Sequence, residues 1–320
     1  MENSVKKSQI SVIILLVALF ALFDLAFYYG ITKRYKNFTS PQMQAKSIEI
    51  SKFLPFDKNS QIYKIKADLN LQGDLPLIDG AAALFPVFSA FVNAIYPKDS
   101  VEFDGENFTA KSRLCYTNTR GAYKAIAEGE ADLIFVAKPS KAQLEYAEQK
   151  GANLKFVPIG LEAFVFIVNK DNPVSDLSVE QVREIYAGKI TNWSQVGGKN
   201  VRIDAVQRNE GSGSQSAMIN FMKNEPMKKN PLSFFGSAIG FSFRYYVETL
   251  VANGGVKMLS LNGVYPSVEN IKNRSYPVTA EIYAVYDENN KNPNIAKIIE
   301  WILSAEGQEI IEKSGYVGVR

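Results

Sequence analysis

The chain has no histidine among its 320 residues. That absence removes Ser-His-Asp and Cys-His arrangements, imidazole-ligated zinc and the usual general base near neutral pH. One cysteine is present, Cys115, within Arg113-Leu114-Cys115-Tyr116-Thr117. A lone thiol forms neither an intrachain disulfide nor a thiolate metal cluster, and it reads as a small buried hydrophobe. Charge of one sign is also scarce. The net charge is +3, part of it beside the N-terminal apolar run, and no basic-aromatic array is found, so nucleic acid is not an expected partner. There is no carboxylate cluster with metal spacing, no internal repeat and no low-complexity tract. No catalytic residue, metal or cofactor is therefore expected. With 46% hydrophobic and 22% charged residues, the chain can bury a core and has the length for two lobes.

The longest apolar run is N-terminal. Lys6 and Lys7 precede Ile10 to Tyr29, interrupted only by Asp24. A helix of that length spans about 30 Å, the thickness of a hydrocarbon core. Asp24 lies toward the far end, where its cost falls below the ~3 kcal/mol of a carboxylate at mid-bilayer. A cleavable signal peptide is the competing reading. Against it, Phe20, Phe23 and Tyr28 stand where small residues would be needed, and no cysteine closes the run as in a lipoprotein. The expectation is a single-pass anchor: residues 1–36 as tail and transmembrane helix, entering the membrane through residues 10–29, then residues 37–76 as stalk and lead-in. Lys33, Arg34 and Lys36 follow the run and dilute the positive-inside asymmetry.

Beyond the stalk, short apolar runs alternate with helical patterns, which predicts α/β architecture. Leu77-Ile78-Asp79-Gly80 reads as a strand end, followed by a helix over Ala81 to Ile95. Gly121 to Ala127 reads as a helix and Leu133 to Val136 as a buried strand. The six apolar residues from Ala163 to Val168 read as a central strand buried on both faces. Ser178-Val179-Glu180-Gln181 is a capping box that starts a helix through Val182, Ile185 and Tyr186, ended by Gly188. Ile295 to Ile311 reads as one helix.

The most chemically suggestive stretch is Arg208-Asn209-Glu210-Gly211-Ser212-Gly213-Ser214. It precedes a helical face of Ala217, Met218, Phe221 and Met222. The first amides of a helix lack intrahelical partners and carry partial positive charge, glycine lets backbone approach closely, and arginine adds a permanent fork of donors. These parts make an oxyanion cradle. The same residues also suit a flexible Gly/Ser turn with an N-cap serine. Two further loops meet helix starts at strand ends, Asp79-Gly80-Ala81-Ala82 and Thr117-Asn118-Thr119-Arg120-Gly121. Thr119 suits a helix cap and also a hydroxyl offered to a ligand.

Together these segments resemble the PstS-type phosphate-binding proteins of ABC transporters, from about residue 50 to the C-terminus. The resemblance rests on Asp79 through Phe88, Glu130 through Val136, Leu177 through Trp193, Arg208 through Ser214, Ala238-Ile239-Gly240-Phe241 and Trp301 through Gln308, in that order. It implies a two-lobed, periplasmic-binding-protein-like (type II) α/β fold with a hinge. One lobe would comprise residues 77–158 and 277–320, the other residues 159–276. The implied function is capture of inorganic phosphate between the lobes, on the extracytoplasmic side of the cell membrane, for delivery to ABC permease subunits, without enzymatic activity. Transferred by position, the phosphate ligands are Arg208, Ser212, Gly213, Ser214 and Thr119 with the first-loop residues Ala82 and Ala83, and Glu210 orients the arginine. Two positions depart from the family pattern. Ala82 stands where a threonine is usual. Ala137 replaces an aspartate that accepts the proton of hydrogen phosphate and so rejects sulfate. Asp79 is the nearest remaining acceptor, or equally a cap of the following helix. The alternatives are a surface phosphate sensor or scavenging domain without a transport role, and a binder of another tetrahedral oxyanion.

Overall fold

A computed structural model describes residues 48–223, 225–228, 237–251 and 255–319, together with Leu22 and Asp24. The expected anchor at 10–29 lies outside the described residues, apart from Leu22 and Asp24, both helical and exposed. Among the described residues no helix is long and apolar enough to cross a membrane. Leu22 and Asp24 belong to one compact unit, Met1–Pro41 with Asn230–Ser233; everything below concerns the other, Gln42–Lys229 with Phe234–Arg320.

Among the described residues of this unit there are ten strands: β1 (Ile78–Gly80), β2 (Leu133–Ala137), β3 (Leu154–Asn169), β4 (Asp176–Leu177), β5 (Asp204–Ala205), β6 (Ala238–Phe243), β7 (Val256–Met258), β8 (Ser260–Leu261), β9 (Thr279–Asp287) and β10 (Val317–Gly318). Eight of them form one mixed sheet in the order β1-β2-β9-β3-β6-β5, with β7 and β10 also on β3, while β4 and β8 pair separately. The sixteen-residue β3 organises the molecule. Its first part, through Ala163, pairs with β9, and its second part, from Phe164, pairs with β6 and β7. A register shift between Pro158 and Gly160 bends it between the two partner sets. The expected strand at Ala163–Val168 is thus the buried second part of a much longer crossing strand.

Two hydrophobic cores flank that crossing. The first gathers Phe85, Phe88, Phe91, Phe135, Ile298 and Trp301; the second gathers Phe164, Phe166, Tyr186, Met218, Phe221 and Phe241. Helices α1 (Phe85–Ile95), α2 (Asn118–Ala127) and α3 (Lys141–Gln149) contribute to the first lobe, and α4 (Val179–Ala187), α5 (Gly213–Phe221) and α6 (Val268–Lys272) to the second. The chain returns to the first lobe in α7 (Pro293–Ile302) and α8 (Ala305–Lys313). Gly80 is required where β1 meets α1, because a Cβ there would lie 2.6 Å from both the Phe135 carbonyl oxygen and the Phe88 ring.

Local signals place several elements. Ser178 accepts from the Gln181 amide while Gln181 accepts from the Ser178 amide, and Gly188 ends α4 in the left-handed region at φ 76°. Three boundaries differ from expectation. A 3-10 turn, Ala82–Leu84, precedes α1, whose second residue is Pro86. The helix expected from Gly121 begins at Asn118. The single helix expected over Ile295–Ile311 is two, separated at Ser304, whose backbone is extended at φ −74° and ψ 174°; Gly307 lets the second pack so closely on the first that a Cβ would sit 2.4 Å from Ile302 Cα. Residues 48–76, read as part of a stalk and lead-in, pack on the first lobe. Phe53, Ile62, Leu71 and Leu75 are buried there, and the Leu71 amide donates to the Ile95 carbonyl at 2.9 Å.

Candidate functional site

Three helix starts line one cavity of ≈ 430 Å³. Ala82 and Ala83 come from the turn before α1, Thr119 from the first turn of α2, and Ser212, Gly213 and Ser214 from the start of α5. Arg208 and Glu210 of the loop before α5 reach the same cavity, as does Ala137 at the end of β2. Every expected site residue except Asp79 is therefore on one wall or another of this cleft. The two lobes approach closely across it: a methyl group on Gly213 would stand 3.1 Å from the Thr119 hydroxyl oxygen, and one on Gly211 3.2 Å from Arg120 Cδ.

The donors are arranged by local capping. Ser212 is the N-cap of α5, and its hydroxyl oxygen accepts from the Gln215 amide at 3.2 Å, which leaves its own proton to donate. Gly213 and Ser214 are the first two helical residues, so their amides have no intrahelical acceptor. Thr119 is not the cap of α2. Asn118, held in the left-handed region at φ 64°, receives the Arg120 amide on Oδ1 at 3.0 Å. That spares the hydroxyl of Thr119, a residue itself 8% exposed.

Arg208 is the strongest electrostatic feature. It is 8% exposed, its backbone amide is fixed by Gln215 Oε1 at 2.9 Å, and its buried Nη1 has no hydrogen-bond partner. Burial lowers its pKa from the ordinary value, and the hydrogen-bonded Tyr246 side chain opposes that shift. A cation held out of water with donors unspent is poised for an anion.

Two supporting assignments are corrected. Glu210 is exposed and makes no ion pair with Arg208; the Gln215 side chain and Tyr246 hold the arginine instead. Asp79 is fully buried, lies outside the cavity lining and does not cap the turn or helix that follows it. Its Oδ1 accepts from the Gly80 amide at 2.7 Å and the Thr117 amide at 2.9 Å, and its Oδ2 from the Thr117 hydroxyl. It pins the Thr117–Thr119 turn to β1. Burial raises its pKa while those donors lower it.

The sequence model of a family described as the PBP superfamily domain matches residues 76–306. The chain belongs to that family. Its relatives include the phosphate-binding protein PstS of Bacillus subtilis, 27% identical over 82% of this chain and 86% of that protein. The PstS of Borreliella burgdorferi is 24% identical over half of this chain and 64% of that protein, so the chain spans under two thirds of that relative. Among solved structures, a Clostridium perfringens substrate-binding protein, described as that of a phosphate ABC transporter and crystallised with phosphate, matches with a TM-score of 0.57 and 26% identity. The match covers 76% of this chain and 98% of that one. The PstS-type resemblance and the two-lobed α/β fold expected from sequence hold.

Within this family fold, the cleft also holds residues that sequence reasoning passed over: Tyr116, Arg120, Glu162, Ser242, Tyr246 and Tyr316. Glu162 carried a legible signal, an acid immediately before the apolar run Ala163–Val168. It is 1% exposed, with Oε1 accepting from the Ala163 amide at 2.9 Å and Oε2 from the Tyr245 amide at 3.1 Å. Arg244 Nε lies 3.4 Å from Oε1 in an ion pair that lacks hydrogen-bond geometry. Burial pushes the Glu162 pKa up to about 7, against the pull of Arg244 and the two amides. Tyr316 donates to the Ala83 carbonyl at 2.6 Å and so ties the C-terminus to the first-lobe loop.

Proposed function

We propose that the protein captures inorganic phosphate in the cleft and presents it to the subunits of an ABC permease. The observation that carries this is Arg208: a buried guanidinium with an unpartnered Nη1, on a wall that also offers the Gly213 and Ser214 amides, the Thr119 hydroxyl and the turn of Ala82 and Ala83. Forked cation, helix-start amides and hydroxyls are the donor set that a tetrahedral oxyanion with several acceptor oxygens satisfies. The names borne by the Bacillus and Borreliella relatives, and the phosphate in the Clostridium structure, support the same ligand. Residues 77–158 with 277–320 and residues 159–276 act as two lobes closing about the β3 and β9 crossing, and the anion stabilises closure by contacting both. The function is binding rather than catalysis. The run at 10–29 supports a single-pass anchor that holds the domain on the extracytoplasmic side.

Isothermal titration calorimetry of the full chain in detergent with inorganic phosphate tests the ligand. A saturable heat that Arg208→Ala removes is expected. No heat at any phosphate concentration up to the millimolar range refutes it. A binder of a different tetrahedral oxyanion is the second reading, favoured by the alanine at position 137 in the cavity wall. Tighter binding of sulfate than of phosphate would select it.

A further inference from the structure

The cleft is larger than an inorganic oxyanion. Its volume is ≈ 430 Å³. At the ~30 Å³ that one water takes in the liquid, an anion of five heavy atoms fills about 150 Å³, and room for roughly nine more heavy atoms is left. Sites of ~300–1,000 Å³ are the size that organic ligands occupy. Closure alone does not remove the surplus, because the lobes already approach closely at Gly213 and Thr119 and at Gly211 and Arg120.

The lining divides by chemistry. Arg208, the Thr119 hydroxyl and the amides of Gly213 and Ser214 supply the anion donors. Leu84, Tyr116, Ala137, Phe243, Ile282 and Tyr316 bring apolar and aromatic surface to the same cavity. Resting on the phosphate reading above, we propose that the cleft binds a terminal phosphoryl group carrying a small organic substituent, as in a phosphate monoester or a phosphonate, with its oxygens on the Arg208 cradle and the substituent against Tyr116 and Phe243.

The rings are fixed before any ligand arrives. Tyr116 packs edge-on against Phe85 at 5.7 Å between ring centroids, and Phe243 packs against Phe164 at 5.7 Å. Burial, and then neighbouring Tyr246 of the other lobe, push the Tyr116 pKa up to about 12, so its ring meets a dianion as a neutral phenol. Tyr316 spends its hydroxyl proton on the Ala83 carbonyl, and its ring packs on Tyr245 at 4.7 Å. Ala137 and Ile282 pair across β2 and β9 and end in methyl groups. On Leu84, Ala137, Phe243, Ile282 and Tyr316 a fourth anionic oxygen therefore finds no free side-chain donor, whereas a hydrocarbon group finds partners. The buried carboxyl of Glu162, on the same wall, disfavours a further anionic oxygen more than a neutral substituent. Taking the substituent out of water adds affinity that a bare anion has no apolar surface to gain.

The test is isothermal titration calorimetry of the full chain in detergent with inorganic phosphate, phenyl phosphate and phenylphosphonate in turn. At least one of the two phenyl compounds should bind more tightly than inorganic phosphate, by about tenfold. The tighter of the two identifies an ester or a carbon linkage, and the phosphonate cannot release inorganic phosphate that would mimic binding. If neither phenyl compound binds more tightly than inorganic phosphate, the proposal is overturned and the phosphate reading stands. If none of the three binds, both fall. Binding of a phenyl compound without binding of inorganic phosphate upholds the proposal and overturns inorganic phosphate as the ligand. Tyr116→Ala should lower the ratio of phenyl-compound to phosphate affinity by about tenfold, and an unchanged ratio overturns the proposal. If Tyr116→Ala does not fold, the wild-type comparison decides alone.

Discussion

Replacing Arg208 by methionine should move binding and stability in opposite directions. Methionine keeps the length and apolar stem of the side chain and removes the guanidinium. In the unliganded protein that group is 8% exposed, with Nη1 unpartnered and a hydrogen bond to the Tyr246 side chain. Holding an ion out of water costs several kcal/mol, and a hydrogen bond to a charged group returns about 1.5–3 kcal/mol. Arg208→Met should therefore be neutral, or more stable by up to about 2 kcal/mol, and should raise Tm by as much as ~4 °C. In the complex the fork would make two charge-assisted bonds, together ~3–6 kcal/mol, so phosphate affinity should fall by roughly 10²–10⁴-fold. Thermal unfolding with and without phosphate reads both effects. At a phosphate concentration of about a hundred times the wild-type Kd, the wild type gains ~2.7 kcal/mol, while the variant should show almost no shift. A variant destabilised by more than about 1 kcal/mol that still responds to phosphate like the wild type would refute the reasoning. It would mean that the guanidinium is structural and its donors are not aimed at the ligand.

Three further outcomes follow from the same geometry. Asp79→Asn weakens three hydrogen bonds behind the cleft and should cost about 1–3 kcal/mol in denaturant unfolding, with the phosphate-to-sulfate ratio unchanged. A changed ratio would show that Asp79 acts on the anion and not only on the Thr117 turn. Gly213→Ala places a methyl 3.1 Å from the Thr119 hydroxyl and should weaken phosphate binding by about tenfold without lowering stability, because alanine suits the first turn of α5; an unchanged Kd would show that the lobes do not approach this closely in the complex. For Glu162, the unfolded chain titrates near 4.5 and the folded protein near 7. The folded state thus holds the proton more tightly, and the stability this supplies is complete below the lower value and lost as pH rises through the upper one. The loss should be on the order of 3 kcal/mol in the unliganded protein. A Tm-against-pH profile should show that decline in the wild type and lack it in Glu162→Gln; parallel profiles would show that burial does not raise the Glu162 pKa.

Features governed by contacts within a few residues were legible without coordinates. The capping box at Ser178–Gln181 and the left-handed Gly188 bound α4, and the Gly/Ser turn opens α5 on the apolar face of Met218 and Phe221. Some local choices were misread. The Asn118 side chain accepts the Arg120 amide at the start of α2, where Thr119 was expected to cap, and the C-terminal helix breaks at the extended Ser304. The surroundings of Asp79 and Glu162 are set by contacts distant in sequence. Both are acids beside apolar runs, yet one faces the Thr117 turn and the other the cavity.

Family, α/β class and the presence of an arginine-bearing Gly/Ser loop at a helix start were already determined by the amino-acid sequence, because capping, periodicity and turn chemistry act over a few residues and leave their marks there. Which of the charged groups share a cavity was decided only by tertiary structure. Glu162, Arg208, Tyr246 and Tyr316 are brought together where β3 passes from one core to the other, and burial there raises the pKa of Glu162 and Tyr316, lowers that of Arg208 and leaves the guanidinium with a donor to spare. Desolvation depends on what surrounds a group in space, and no spacing along the chain records it.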